Sequence, residues 1–415
     1  RTLILQVCVE WRRMKPWFKH MKEFAFDFKV EESDVMNIFY SQLHQHYDMK
    51  NGPLWSARLV PLKRQSPGDS YRAVFLMSIQ HCITDGFTHM RISRNLLEVL
   101  NSFATGIIHE IPLSPISPAI SDALMTSGDL NYGLKYFWYR LYSTLRNLVN
   151  GVSVQDALQQ PRTKKAQTSI LRENFTVEET KILIQHCKDN GVTVHSCLLA
   201  TASLAMLKTI QCNATQNIDK ARINSNSSVN MRRYFPEDHK EAVGCHVSAD
   251  EKEVLIHSSS ASSKGSFWSL VKQFQNNLNE SLHVKQTPIR NLRLLRLYSA
   301  IIQVNHELTR YGLKHVTDSY FACTNMGNLK SLLPSQYNGP IEIVDLLRSG
   351  NCEFTGNLFT IVCHTFNSRL MISIDYFSTK ISNEGAEQFF KVFCHYIRKI
   401  SQYGTVQEPT TFSKH

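Results

Sequence analysis

The chain has 415 residues, 42% of them hydrophobic and 20% charged, which is enough for one large or two ordinary domains with real cores. Its net charge of +11 is spread along the chain rather than clustered. With no zinc-finger spacing and no basic-aromatic RNA-binding box, that charge argues against nucleic acid and suits equally an anionic ligand, such as a phosphorylated cofactor, or an acidic membrane face.

From the N-terminus, "EESDVMNIFYSQLHQHYD" (31–48) reads as a helix with an acidic start and Val35, Ile38, Phe39 and Leu43 on one face. "GPLWSARLVPL" and "SYRAVFLMSIQH" read as strands joined by the polar turn "KRQSPGD". A helix then runs from Gly86 to about Gly106, followed by the Pro-punctuated loop "IPLSPISPAIS" (111–121). "LKYFWYRLYSTLRNLVNG" (134–151) is aromatic and basic; it fits a helix packing on its own domain, with an interfacial membrane helix carrying Lys135, Arg140 and Arg146 as the alternative. The polar stretch 154–167 is the linker candidate. It divides an N-terminal half, 1–153, from a C-terminal half, 168–415.

Beyond the linker the pattern restarts with strand "TSILRENF" and helix "TVEETKILIQHCKDNG", which has Thr176 as N-cap, Glu179 at the capping-box position and Gly191 as stop. A second helix starts at "TVHSCLLATASLAMLKTI". Strands are expected near 221–230 and 243–249, and helices at 266–283 and 291–312. The last third carries strands "DSYFACTNMG", "PIEIVDLLRS", "NLFTIVCHTF" and "RLMISIDYF" and a helix at 382–400. Mixed strands and helices in both halves give the fold class: α/β, in two domains of similar build.

The chemistry concentrates in "SIQHCITDGFTHM" (78–90), where His81, Asp85 and Gly86 stand between a buried strand and a helix. A His exposed at a strand end, next to a Gly that permits close approach, is placed for proton transfer, and its near-neutral pKa suits that task. Taken alone, His-x-x-x-Asp also arises from a core His with a solvated Asp. No third ligand at a matching spacing points to a metal, so none is expected. Cys82 beside His81 reads as packing, because adjacent residues at a strand end point in opposite directions. His364 and His395 read as core or surface histidines. The ten cysteines, none in a C-x-x-C pair, read as reduced thiols of a cytoplasmic protein. The sequons at Asn174 and Asn213 match at chance frequency.

"HCITDG" resembles the HxxxDG signature of the CoA-dependent acyltransferase superfamily, which includes chloramphenicol acetyltransferase, plant BAHD acyltransferases, peptide-synthetase condensation domains and fungal alcohol O-acetyltransferases. Further resemblances follow in the family's order: "GPLWSARLV", "GVTVHSCLLATASLAM", "SSVNMRRYFPEDHKEAVGCHVS" and "YFACTNMGNL". The ordered set is far more specific than any one motif. The alcohol O-acetyltransferase-like branch is the nearest. The second His that condensation domains place before the first is replaced by Gln80, and the DFGWG motif of BAHD enzymes is absent, with "CTNMG" and "SGNCEFTGN" in its region. The chain opens at Arg1 without an initiator Met, and the resemblance places roughly 50 further residues upstream, so a fragment is expected.

The resemblance implies two chloramphenicol-acetyltransferase-like domains, each a mixed sheet with packed helices, and an active-site tunnel between them. It implies an acyl-CoA-dependent O-acyltransferase, with acetyl-CoA or another acyl-CoA as co-substrate and a small alcohol or natural-product hydroxyl as acceptor. His81 would be the general base and no acyl-enzyme would form. Asp85 would pair with an arginine and hold the loop; Arg232 is the matching candidate and Arg233 the lesser one. Gly86 would let the helix pack behind the loop, and Asn325 and Thr324 are oxyanion candidates by position, though an Asn-x-Gly turn explains them as well. An N-acyltransferase, a condensation-type enzyme fed by a carrier protein, and a non-catalytic acyl-CoA-binding module stay as alternatives. A cytoplasmic monomer is expected, with peripheral membrane contact left open.

Overall fold

The computed structural model describes residues 3–12, 15–64, 66–107, 166–215, 217–289, 291, 319–353 and 355–407. The loop expected at 111–121, the aromatic segment 134–151, nearly all of the linker 154–167 and the helix expected over 291–312, apart from its first residue, lie outside them. Two compact units emerge. The first gathers Arg1–Ile120, Asn230–Val247 and Leu329–Leu346; the second holds Ser121–Val229, Ser248–Asn328 and Leu347–His415. The first unit is thus completed by two segments from beyond the expected linker.

In the first unit, β1 (Val7–Arg12) and β2 (Lys15–His20) form an antiparallel pair. β3 (Phe28–Val30) runs parallel to β4 (Trp55–Leu62), which pairs antiparallel with β5 (Arg72–Ile79). The helix expected over 31–48 is real but short: α1 is Val35–Leu43. Asp34 starts it by accepting from the Asn37 N–H, while Glu31 N is drawn to Leu59 O beside β3. At the other end Asp48 folds the chain into a turn by accepting from Lys50 N and Asn51 N. Buried Ile4, Val7, Val9, Leu54, Ile83 and Val243 make this unit's apolar core, and Cys82 packs against it. α2 (Gly86–Thr105) follows β5 and stops at Gly106, whose left-handed φ of 72° needs no side chain.

The segment "PIEIVDLLRS" forms no strand. Ile341 instead exchanges both backbone hydrogen bonds with the Asn101 side chain of α2, which donates from Nδ2 to Ile341 O at 3.0 Å and accepts from Ile341 N at 2.8 Å. One buried amide here takes the place of a strand partner for Ile341, and beyond it the segment makes a single antiparallel bridge, Glu342 with Gln336.

The second unit is a six-stranded mixed sheet ordered β6-β11-β10-β9-β7-β8, from β6 (Thr168–Asn174), β7 (Lys220–Asn230), β8 (Val247–His257), β9 (Ser319–Asn328), β10 (Asn357–Phe366) and β11 (Arg369–Phe377). β10 and β11 are buried along nearly their whole length, as central strands covered on both faces must be. Helix α3 (Val177–Asp189) starts at the expected capping box: Thr176 Oγ1 accepts from Glu179 N, and the Glu179 carboxylate accepts from Thr176 N. Helix α4 (Val194–Asn213) is apolar around its circumference because it is buried almost throughout. Helices α5 (Lys264–Asn279) and α6 (Asn383–Tyr403) pack with α4 into one core in which Phe359, Phe389 and Phe393 stack at 4.5 and 5.9 Å. α5 gives way to a π-turn at Glu280–Val284 inside the stretch expected as one helix. Among the described residues no single helix is long and apolar enough to cross a membrane.

Candidate active site

β5 ends at Ile79, and Gln80 turns the chain: its side-chain oxygen accepts from Cys82 N at 2.5 Å and starts a short 3-10 turn, His81–Ile83. Ile83 is buried, so the turn is anchored from below while His81 stays exposed. Cys82 is half-buried, and burial pushes its thiol up to about 11, which keeps it neutral. Asp85 is the N-cap of α2 and Gly86 the first helical residue; Asp85 Oδ1 accepts from Thr88 N at 2.8 Å.

Asp85 is only 7% exposed, and Arg232, at 3%, is its ion-pair partner. Arg232 Nη1 donates to Asp85 Oδ2 at 2.6 Å and Nη2 to Oδ1 at 3.3 Å, the two-pronged geometry that suits guanidinium and carboxylate. His246 N donates to Oδ2 at 2.8 Å. Burial alone would raise the Asp85 carboxyl; the charge and hydrogen bonds of Arg232, with the Thr88 and His246 N–H groups, outweigh it and hold the group below the usual carboxylate value.

The guanidinium is saturated. Nε donates to Ala242 O at 2.7 Å, Nη1 also to Asn230 Oδ1 at 3.2 Å, and Nη2 also to Thr88 Oγ1 at 2.9 Å and Gly244 O at 3.2 Å. Phe87 covers its face, with the ring centre 4.4 Å from Cζ. Arg233, the lesser candidate, is exposed on the same turn. Its neighbour alone meets Asp85.

Sequence reasoning named Asp85 and Arg232 and missed the groups that clamp them. Thr88 is fully buried; its hydroxyl donates to Gly244 O at 2.7 Å and accepts from Gly244 N at 2.9 Å. Gly244 takes φ +141°, and a Cβ there would come within 2.9 Å of His246 Nε2, so only glycine fits. Burial, then the nearby Arg232 charge, pushes the His246 ring down to about 4, so it stays neutral beside the pair. This explains the displaced strand: the stretch expected at 243–249 is a strand only from Val247, because the backbone of Ala242–His246 is committed to Arg232, Thr88 and Asp85. Cys245, in the same segment, brings its Sγ to 3.5 Å from His81 Nδ1. The quoted segment around "VGCHVS" held these residues, but their partners are some 150 positions away.

Thr324 and Asn325 lie in the second unit, on β9, opposite Val362 and Cys363 of β10. Asn325 Oδ1 accepts from Gly327 N at 2.8 Å, the Asn-x-Gly turn that sequence reasoning left open. His364 is buried in β10 and His395 is exposed on α6. Among the described residues no group of three or more His, Cys, Asp or Glu side chains could hold a metal ion.

Residues 133–397 match a family model described as alcohol acetyltransferase; the match contains Arg232, Thr324 and Asn325 and begins downstream of His81 and Asp85. Among solved structures, the TRI3 trichothecene 15-O-acetyltransferase from Fusarium sporotrichioides superposes with TM-score 0.68 at 13% identity, over 95% of this chain and 82% of that one. The first condensation domain of the CDA synthetase gives TM-score 0.60 at 12% identity, over 98% and 86%. The epimerization domain from the third module of tyrocidine synthetase B gives 0.57 at 14%, over 98% and 87%. No curated protein matches the sequence. At such identities the structural likeness establishes the fold these enzymes share. The family match spans more than half of the sequence, and on it the chain is an acyltransferase that belongs to the alcohol acetyltransferase family.

Proposed function

We propose that the protein transfers an acyl group, acetyl in the first instance, from CoA to the hydroxyl of a small alcohol or natural product, with His81 as general base. The observation that carries this reading is the exposed His81 on a turn pinned by the buried Asp85–Arg232 pair. An exposed imidazole on a fixed mount can meet a substrate hydroxyl without first losing conformational freedom. His81 takes the hydroxyl proton as the oxygen attacks the thioester carbonyl. The tetrahedral intermediate then collapses with loss of the C–S bond, and the CoA sulfur leaves with the proton returned from His81. No serine nucleophile or acyl-enzyme enters this scheme.

Asp85 acts at one remove. It accepts from Arg232, Thr88 and His246, and no bond joins it to His81, so it holds the loop rather than relaying a proton. Thr324 and Asn325 stay oxyanion candidates by their chemistry; with Oδ1 held by Gly327, Asn325 would offer Nδ2. The likeness to a trichothecene O-acetyltransferase supports a hydroxyl acceptor, and the net charge of +11 suits the phosphates of CoA.

The test is incubation of the purified protein with acetyl-CoA and a mixed panel of alcohols and amines, followed by mass spectrometry and titration of released thiol. The expected result is an ester with one free CoA thiol per ester and no need of a carrier protein. Amide products would make it an N-acyltransferase, and turnover only with a carrier-bound thioester a condensation-type enzyme. Thermal protection by millimolar acetyl-, butyryl- or palmitoyl-CoA without any product would leave a non-catalytic acyl-CoA-binding module.

A further inference from the structure

A histidine base works from one nitrogen only if the proton rests on the other, and the partner of that other nitrogen fixes where it rests. Taking His81 as the base, as proposed above, its Nδ1 faces Cys245 Sγ at 3.5 Å. The backbone that carries that sulfur is held on both sides. The residue before it, Gly244, is bonded through both N and O to Thr88 Oγ1, and the residue after it, His246, donates its N–H to Asp85. The network that ties the start of α2 to the 242–246 segment therefore also fixes the backbone of Cys245, whose sulfur meets the imidazole.

We propose that Cys245 is a positioning residue: its sulfur accepts the Nδ1–H of His81, keeps the proton on that side of the ring, and leaves the Nε2 lone pair to take the proton of the acceptor hydroxyl. The opposite polarity, with the thiol donating to Nδ1, would put the proton on Nε2 and disable the base. A thiolate–imidazolium pair does not fit, because burial, with the Asp85 charge added, pushes the Cys245 thiol up to about 12. The other titratable or charged groups acting on this thiol are Cys82 and Arg232. A neutral sulfur is a weak acceptor, so it orients the ring without placing a charge beside it.

The test combines kinetics with the tautomer itself. Nitrogen chemical shifts of His81 in ¹⁵N-histidine-labelled protein should show the proton on Nδ1 in the parent and a mixture in Cys245→Ala. Turnover with acetyl-CoA and an accepted alcohol should fall on the order of tenfold in Cys245→Ala with the KM for acetyl-CoA unchanged. That is less than the roughly 10⁴-fold loss from removing a carboxylate orienter in a hydrolytic triad, since the sulfur is the weaker partner. Cys245→Ser, which keeps a small acceptor, should recover most of the rate and the Nδ1–H form. A parent His81 protonated on Nε2, or a Cys245→Ala variant with full turnover and unchanged shifts, would overturn the proposal. Should the alanine variant not fold, the parent spectrum and the serine variant still decide. His81→Ala is the control that separates the two readings. If it is inactive while Cys245→Ala is unaffected, only the positioning role fails; if it is active, the base assignment fails.

Discussion

Replacing Asp85 by Asn tests what holds the His81 turn, because the change keeps shape and removes charge. All four donors that meet this carboxylate, Thr88 N, His246 N, and Arg232 Nη1 and Nη2, need an oxygen. An amide offers one oxygen and one NH2, so either orientation sets a donor against two donors and strands a guanidinium that is 3% exposed. Breaking a buried pair from one side costs about 3–5 kcal/mol. Arg232→Met should cost a similar amount, and the double variant less than the sum, with a coupling of roughly 0.5–3 kcal/mol. Urea titration followed by tryptophan fluorescence, with Trp11, Trp17 and Trp55 in the first unit, measures each corner of the cycle. The pH dependence supplies a second check. The Asp85 carboxyl titrates below its ordinary value of 3.8, so its contribution is complete above that value and is lost as pH falls below it through the lower folded value. A fully stable but inactive Asp85→Asn, with coupling near zero, would refute the structural role and return the aspartate to the chemistry.

Two further outcomes follow from the same geometry. Gly244→Ala must adopt φ +141° with its Cβ against His246, so it should destabilise by about 1–3 kcal/mol and lower turnover, seen as a lower urea midpoint beside the rate assay. Burial raises the Asp375 carboxyl to about 7 although Ser349 Oγ and Gly350 N donate to it. Its folded value lies above its unfolded one, so the stability it contributes is present below pH 4 and lost as pH rises towards 7. Asp375→Asn, whose amide can donate to the Ser349 hydroxyl and accept from Gly350, should flatten thermal stability across pH 4 to 7 and equal or exceed the parent at pH 8.

How much was legible in the sequence depended on whether the deciding partner was near in the chain. The capping box of Thr176 and Glu179, the end of α2 near Gly106 and the two strands β4 and β5 joined by a polar turn are settled by residues within a few positions or one turn of each other, and their patterns stated them. The strand expected over 340–349 failed because alternating apolar residues cannot reveal that Asn101, 240 positions away, satisfies the Ile341 backbone. At the site, His81 and Asp85 share one motif, and Arg232 came from the resemblance. Thr88, Gly244 and Cys245 gain their meaning only when two segments about 150 residues apart meet. Gly244 was the one with a visible signal, as the glycine that stands twelve positions after Arg232 in the quoted segment.

The most direct measurement is the turnover of His81→Ala with acetyl-CoA and an accepted alcohol, set beside calorimetric binding of acetyl-CoA to the same protein. A general base acts only in the transition state, so kcat should fall by ~10²–10⁴-fold while the affinity for acetyl-CoA stays within about twofold of the parent. His81 lies outside the Asp85–Arg232 network, so the melting temperature should not move with the rate. A His81→Ala protein that keeps most of its turnover, or loses it only because acetyl-CoA no longer binds, would contradict the account.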